Sequence, residues 1–569
     1  MSGRRSIVAV TRAAFSRTDA LARLESETFD LVVIGGGVTG AGGALDAASR
    51  GLRTALIERD DFASGTSSKS SKLVHGGLRY LQQGEVRLVY EALAERRRLM
   101  RNAPHLVTLM PFLIPMFGRD GVIPAKVARV LGTAMWAYDL TGGFRIGKLH
   151  QRLTKVETLE YFPTFPAKNL VSGYLYYDAA ADDARLTLTL LRTAAHDHDA
   201  VVANGVAAVG IGRNAAGRAE RVSVEADGRR FDIATSAVVN AAGVWSDEIR
   251  TLDEGRDPDS IRPAKGIHVT VPHHLVGNTI AAVVPVPKDR RSIFVVPHGE
   301  FTYIGTTDTD YDGPLDDPQC TAADIDYLLS AINRFCTNAI TTDDIVGTWA
   351  GLRPLVTSGA PGRTADLSRR HRVEISNSGV ISVMGGKLTT YRLMASDAVD
   401  AVVAETVGGN RKSCTARLKL RGAEGNRTVA TAAGGYPAVP PSVVGHLAGR
   451  YGGEARALMG LIQTDPTLGE PLVEGLPYLR AEAVFAARFE MARSVDDVLS
   501  RRTRARLYGR DDSAAAAAAT AELIAPELGW TAEQAEASAE AYRRSCEHER
   551  TSADLPPVTL DDAMNHRTG

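Results

Sequence analysis

The stretch FDLVVIGGGVTGAGGALDAASRGLRTALIERDDF, Phe29 to Phe62, decides the fold. Leu31–Ile34 is a short apolar run that predicts a buried strand, and the glycines after it predict a tight turn. Ala41, Ala44, Leu45 and Ala48 share one face of a helix over about Thr39–Arg50, and a second strand follows at Arg53–Glu58. Gly35, Gly37 and Gly40 take the G-x-G-x-x-G spacing between strand and helix. The first glycine permits the turn, the second lets backbone approach a pyrophosphate, and the third lets helix and strand pack closely. The helix N-terminus, with its free N–H groups and dipole, favours an anion there. Glu58 ends the second strand, placed to accept hydrogen bonds from a ribose. An acid at that position favours a free 2′-hydroxyl, hence FAD or NAD over NADP.

Two distant segments favour a flavin. VVNAAGVWS, Val238–Ser246, is an apolar strand ending in small residues, where Ala242 and Gly243 would let a cofactor pass close to backbone. VMGGKLTTY places Gly385 and Gly386 at a strand end and Lys387 at a helix start, suited to negative charge on a reduced flavin.

The bulk numbers narrow the classes. A chain of 569 residues exceeds one compact core and implies several domains. Its net charge of −1 supplies no global attraction to nucleic acid or to an acidic membrane, so only local patches could act. Four cysteines, Cys320, Cys336, Cys414 and Cys546, are widely spaced without a Cys-x-x-Cys, which suits a reducing compartment. No apolar run is long enough to span a bilayer, no metal-ligand spacing appears, and residues 1–28 lack a secretory apolar core.

Further on, a helical pattern begins at Gly84, and Pro104, Pro111 and Pro115 predict that the apolar run after it is a loop or edge segment. Hairpins are predicted around Asp227-Gly228, His298-Gly299-Glu300 and Asn377-Ser378-Gly379. From about Lys412 the composition turns helical, and the Ala514–Ala519 run reads as helix.

One segment resists any secondary-structure period: SSKLVHGGLRYL, Ser70–Leu81, crowds hydroxyls, a lysine, a histidine, two glycines and an arginine together. With it the chain resembles the FAD-dependent glycerol-3-phosphate dehydrogenases, within the glycine/D-amino-acid-oxidase-like flavoproteins. The motifs are IGGGVTGAG, TSSKSSKLVHGGLRYL, DDARL (Asp182–Leu186), VVNAAG, KGIHVTVP (Lys265–Pro272), IGTTDTDYDG, GLRPL (Gly351–Leu355) and GGKLTTYR, with SVDDVLSRRTRARL in the C-terminal part.

The resemblance implies an α/β architecture. A Rossmann-like FAD-binding part would interleave with an antiparallel-sheet substrate part over 29–410, after an N-terminal arm (1–28) and before a helical domain (411–569). It implies FAD contacts at Thr66, Ser67, Ser70, Lys72, Leu73, His75, Gly76, Gly386, Lys387, Leu388 and Thr389, besides Gly35, Gly37, Gly40, Glu58, Ala242 and Gly243. Arg79, Tyr80, Arg353 and Lys387 would hold the substrate, arginine's planar fork suiting phosphate oxygens. The reaction implied is oxidation of sn-glycerol 3-phosphate to dihydroxyacetone phosphate, with His268 or His75 as base and Lys387 stabilising the developing oxyanion. Electrons would pass to a membrane quinone. The location expected is cytoplasmic, or peripheral on the inner face of the membrane, with oligomeric state open, a homodimer included.

For membrane contact there are two local signals: VRLVYEALAERRRLMR with the apolar and Trp136/Tyr138 segments after it, and Arg501, Arg502, Arg504 and Arg506. The first reads equally as structure, the second preferably as a structural helix. The rivals are a glycerol-3-phosphate oxidase using dioxygen, an amine or amino-acid oxidase of the same fold, and a flavin-binding scaffold without turnover. Nucleic-acid binding has no support.

Overall fold

The protein was analysed as a computed structural model that describes residues 15–77, 85–118, 138, 147–286, 291–357, 370–407 and 411–565. Leu31–Ile34 is buried throughout and pairs in parallel with Thr54–Glu58 on one side and Val238–Asn240 on the other. Val201–Asn204 and Ile381–Met384 extend this sheet, and Arg372–Ile375 closes it antiparallel as the sixth strand. Strands covered on both faces read as continuous apolar runs, which is why LVVI and AVVN show no alternation. The helix Val38–Ser49 packs against the helices Asp183–His198 and Tyr391–Val402.

A four-stranded sheet flanks it, with Ala219–Ala226 and Arg229–Thr235 joined through Asp227 and Gly228. Both turn residues have positive φ (50° and 74°), as a two-residue hairpin of matching twist requires. The helix Arg17–Ser26 buries Ala20 and Leu24, and Arg17 bonds Asp227 at 2.6 Å. Within the expected N-terminal arm, then, this helix is docked on the fold.

The third sheet has ten strands, and one long ladder in it joins Ile261–Pro272 to Gly347–Val356, antiparallel, over ten residue pairs. It also overturns the expectation of a loop or edge after Pro104. Val107–Phe117 is an interior strand, antiparallel to Leu170–Ala181 and parallel to Ala281–Pro285. Pro111 and Pro115 are four residues apart and so direct their missing donors to the same side. The second neighbour pairs only at Phe112–Leu113, so a long ladder tolerates both prolines.

The C-terminal region is helical, its main helices Pro441–Tyr451, Ala455–Thr464, Arg480–Phe489, Ala517–Leu528 and Ala532–Ser552. The alanine run divides between Arg510–Ala515 and Ala517–Leu528. The arginine cluster is not a lipid-facing surface. Arg502 is 1% exposed and bonds Asp61 through both terminal nitrogens (2.7 and 2.8 Å), while Arg501 pairs with Asp61 and Asp496 and Arg506 with Glu549. The two pairs to Asp61 fasten the helical region to the loop after Glu58.

The basic helix Val86–Asn102 buries one face in the core and leaves Arg87, Arg97 and Arg101 exposed on the other. Arg96 is fully buried against Asp178 at 2.5 Å, and Glu95 accepts from Arg392. The apolar run beyond it is the interior strand already described, and Val86 and Tyr90 stay exposed on the helix. Trp136 lies outside the described residues; among those described, no helix is long and apolar enough to cross a membrane.

Candidate active site

The glycine turn and its neighbours frame a cleft of about 540 Å³. Gly35 has φ +114°, open to glycine alone, and a methyl at Gly40 would strike the Gly35 carbonyl, so Gly40 serves helix–strand packing and does not line the cleft. The helix N-terminus at Gly37 has no side-chain cap. Ser67 Oγ takes the Val38 N–H at 2.9 Å, leaving an anion-binding end beside the cleft. Glu58 lies at the cleft wall, its oxygens accepting from the Gly36 and Asp60 N–H groups at 2.6 and 2.8 Å. Burial pushes its carboxyl up to about 7 against the pull of those donors. Gly243, with φ +62° and open space where a side chain would stand, completes a wall with Ala242 that a dinucleotide fits closely. Helix N-terminus, strand-terminal acid and bare backbone together fit an FAD.

This cleft continues into a second cavity of about 400 Å³. Thr66, Pro354, Gly386, Lys387 and Leu388 line both, so Lys387 stands at the junction. Gly385 and Gly386 (φ +75° and +86°) turn the chain from the strand Ile381–Met384 into the segment that carries Lys387.

The second cavity gathers Ser70, Leu73, His75, Thr389, His268 and Arg353. The long antiparallel ladder explains the last two. His268 faces Trp349 across it, and the rings stack at 4.6 Å and 9°. Two pairs along, Gly266 faces Gly351, and next comes Arg353 opposite Ala264. Residues two apart share a face, so Arg353 and His268 look into the same space. Gly266 makes room: a methyl there would lie 2.5 and 2.7 Å from the Arg353 guanidinium nitrogens. That guanidinium is oriented by Asp308 (3.2 Å) and by Thr306 and the Thr307 carbonyl (both 3.1 Å).

His268 is 2% exposed, with Nε2 2.8 Å from Ser71 Oγ. Burial, then the Lys72 and Arg353 cations, hold its pKa well below the usual histidine value, so the ring is neutral at neutral pH. His75 is fixed by two bonds with Thr389, its N–H donating at 3.1 Å and its carbonyl accepting at 3.2 Å.

Two expected cofactor contacts line neither cavity. Lys72 lines neither cavity; its ammonium lies 3.7 Å from Asp183 and 4.3 Å above the Trp349 ring, and burial lowers its pKa to about 7. Gly76 is also withdrawn. A methyl there would meet Leu93 and the Tyr138 hydroxyl, and its N–H donates to Asp178 at 3.1 Å, so its smallness serves packing. Arg79 and Tyr80 lie outside the described residues. Ser71, Arg291, Asp308 and Trp349 also line or support the cavity. Ser71 and Asp308 fall inside quoted motifs but without a role, and Arg291 and Trp349 in none, because each acquires its place from a partner more than fifteen residues away.

Residues 30–392 match the family described as FAD dependent oxidoreductase, and residues 413–535 match the C-terminal domain of alpha-glycerophosphate oxidase. Glycerol-3-phosphate dehydrogenase 2 of Mycobacterium tuberculosis is 40% identical over 96% of this chain and 93% of its own. The mitochondrial glycerol-3-phosphate dehydrogenase of Homo sapiens is 34% identical over 92% of this chain and 74% of its own. Among solved structures, the Bacillus halodurans glycerol-3-phosphate dehydrogenase complexed with FAD superposes with a TM-score of 0.76 at 30% identity, covering 96% of this chain and 99% of the other.

Proposed function

The chain belongs to the FAD-dependent glycerol-3-phosphate dehydrogenase family, and from that premise we propose that it oxidises sn-glycerol 3-phosphate to dihydroxyacetone phosphate and passes the electrons to a quinone. The observation that carries this reading is the meeting of Arg353, Lys387 and His268 around one cavity that opens onto the dinucleotide cleft. The relatives' shared name supports the substrate.

In this reading Arg353, oriented by Asp308 and Thr306, binds the phosphate, with Lys387 and the more distant Arg291 adding positive charge. His268, neutral and buried, takes the proton of the secondary hydroxyl at Nε2, the nitrogen that faces Ser71. His75 is the second candidate for that role. Lys387 at the junction stabilises the oxygen as it loses its proton. FAD, when bound, supplies the acceptor for the hydride that leaves the carbon. The walls of the cavity, with Phe294 and Leu73 among its apolar members, exclude water during the transfer.

The same reading assigns 29–410 to cofactor and substrate binding and 411–569 to a helical domain that braces them. Mixing oxygen-free protein with glycerol 3-phosphate tests the reading. The visible flavin band bleaches with glycerol 3-phosphate and not with glycerol or an amino acid. A band that persists overturns the substrate. Recovery of the band on adding a quinone, with slow recovery in air, separates a dehydrogenase from an oxidase.

A further inference from the structure

Two motifs have no part in the site as described so far: DDARL, residues 182–186, and RRTRARL, residues 501–507. They meet at one carboxylate. Asp183 is fully buried, and its Oδ2 accepts both the N–H (3.0 Å) and the hydroxyl (2.6 Å) of Ser70. Its Oδ1 accepts from Arg504 Nη2 at 2.6 Å, and the same nitrogen donates to the Ser68 carbonyl at 2.7 Å. Lys72 completes the group at 3.7 Å. Arg504 and Lys72 both take the left-handed backbone region (φ +78° and +56°), unfavourable for residues with a Cβ. Such a conformation persists where surrounding contacts over-determine it. Here the contacts that do so converge on Asp183.

Beyond Ser70 the chain reaches Ser71, whose hydroxyl is the Nε2 partner of His268. The Ser70 carbonyl accepts the Trp349 indole N–H at 3.2 Å and the Ser71 carbonyl accepts the Tyr303 hydroxyl at 3.1 Å. The segment from Ser68 to Ser71 is thus a strap along the cavity wall. One end is tied to the C-terminal region and the other contacts the histidine.

We propose that Arg504 is a positioning residue, which through Asp183 and the Ser68 carbonyl sets the Ser70–Ser71 strap and so the geometry of His268 toward substrate. This rests on the reading of His268 and glycerol 3-phosphate given above. Arg504 lines neither cavity; it makes the helical C-terminal region part of the active site's geometry.

The test follows flavin reduction by glycerol 3-phosphate in holoenzyme without oxygen, for Arg504→Gln, Ser71→Ala and the double variant. Arg504→Gln lowers the reduction rate constant by about 10- to 100-fold, as expected for a sub-ångström misplacement of a reacting group. The half-saturating substrate concentration changes little, because Arg353 and Lys387 are undisturbed. The double variant loses no more than the worse single one, since both act through one contact. Arg504→Lys keeps the charge but not the paired bonds, and restores only part of the rate. The Trp349 indole resonance, identified by its loss in Trp349→Phe, moves in Arg504→Gln apoprotein. It stays in place in Arg488→Gln, which breaks an ion pair to Glu527 elsewhere in the helical region. If Arg504→Gln does not fold, Ser70→Ala replaces it; it removes one bond to Asp183 and gives a smaller, equally non-additive loss. Multiplicative losses, or an indole resonance that does not move, overturn the proposal. Failure of the unsubstituted protein to bleach overturns the substrate reading, and the proposal with it.

Discussion

Arg353 shows how little of a binding residue's competence lies in its own side chain. Its guanidinium is aimed by Asp308 and Thr306 and rests over Gly266 on the neighbouring strand. Arg353→Lys replaces a planar fork with a point charge and is expected to raise KM for glycerol 3-phosphate by about 10-fold or more. Gly266→Ala adds a methyl within 2.5 Å of that guanidinium, without touching charge, and is expected to reproduce the same rise in KM. In both variants the bound-flavin absorbance stays, because the dinucleotide cleft is unchanged. Steady-state kinetics beside the visible spectrum checks both. The glycine was visible in KGIHVTVP, but its purpose was not, since it depends on the register of a strand more than eighty residues away.

At the scale of elements, the segment His75–Gly77 is held from two sides, by Thr389 of the turn after Lys387 and by Asp178 of the strand Leu170–Ala181. Asp178 also carries Arg96 and the Tyr138 hydroxyl, the latter at 2.7 Å. Removing it leaves Arg96 as an uncompensated buried charge with one carbonyl partner, the Tyr177 oxygen. Asp178→Ala is therefore expected to cost about 3–5 kcal/mol of stability, measured by urea unfolding. Asp178→Asn, which keeps an acceptor for the Gly76 N–H, costs less. Strand and helix identities were legible in this region wherever periodicity decided them. The strand Val107–Phe117 was not, because proline rules describe a residue's own donor and cannot say which neighbour fails to need it.

For the whole molecule, burial of histidines sets the acid limit. His105 and His196 are pushed down to about 4 and about 3, burial being the main cause in each. In the unfolded chain both titrate near 6.5. Between that value and the folded ones, the unfolded state binds protons that the folded state does not. Stability is then fully present above pH 6.5 and is lost as pH falls, by up to about 1.4 kcal/mol per pH unit for each histidine. Asp61, held down to about 2 by Arg502 and Arg501 against the burial that would raise it, adds a further loss between its ordinary 3.8 and 2. Denaturant melts across this range are expected to show the loss beginning near pH 6.5, and His105→Gln with His196→Gln to reduce that first step, the buried His268 and His298 supplying the remainder. A loss beginning only below pH 4 would overturn it.

The sequence by itself determined the dinucleotide fold, because it rests on local spacing: three glycines from a strand end into a helix and an acid at the next strand end; two glycines before a lysine favoured a flavin, and the family was legible only as a resemblance to known motifs. The interior strand, the burial of the arginine cluster, the withdrawal of Lys72 and Gly76 from the cavities, and the strap from Arg504 to His268 were decided by tertiary structure alone. Each joins residues tens to hundreds of positions apart. What a charged side chain does depends on which opposite charge the fold brings within about 3 Å of it, and no local pattern encodes that distance.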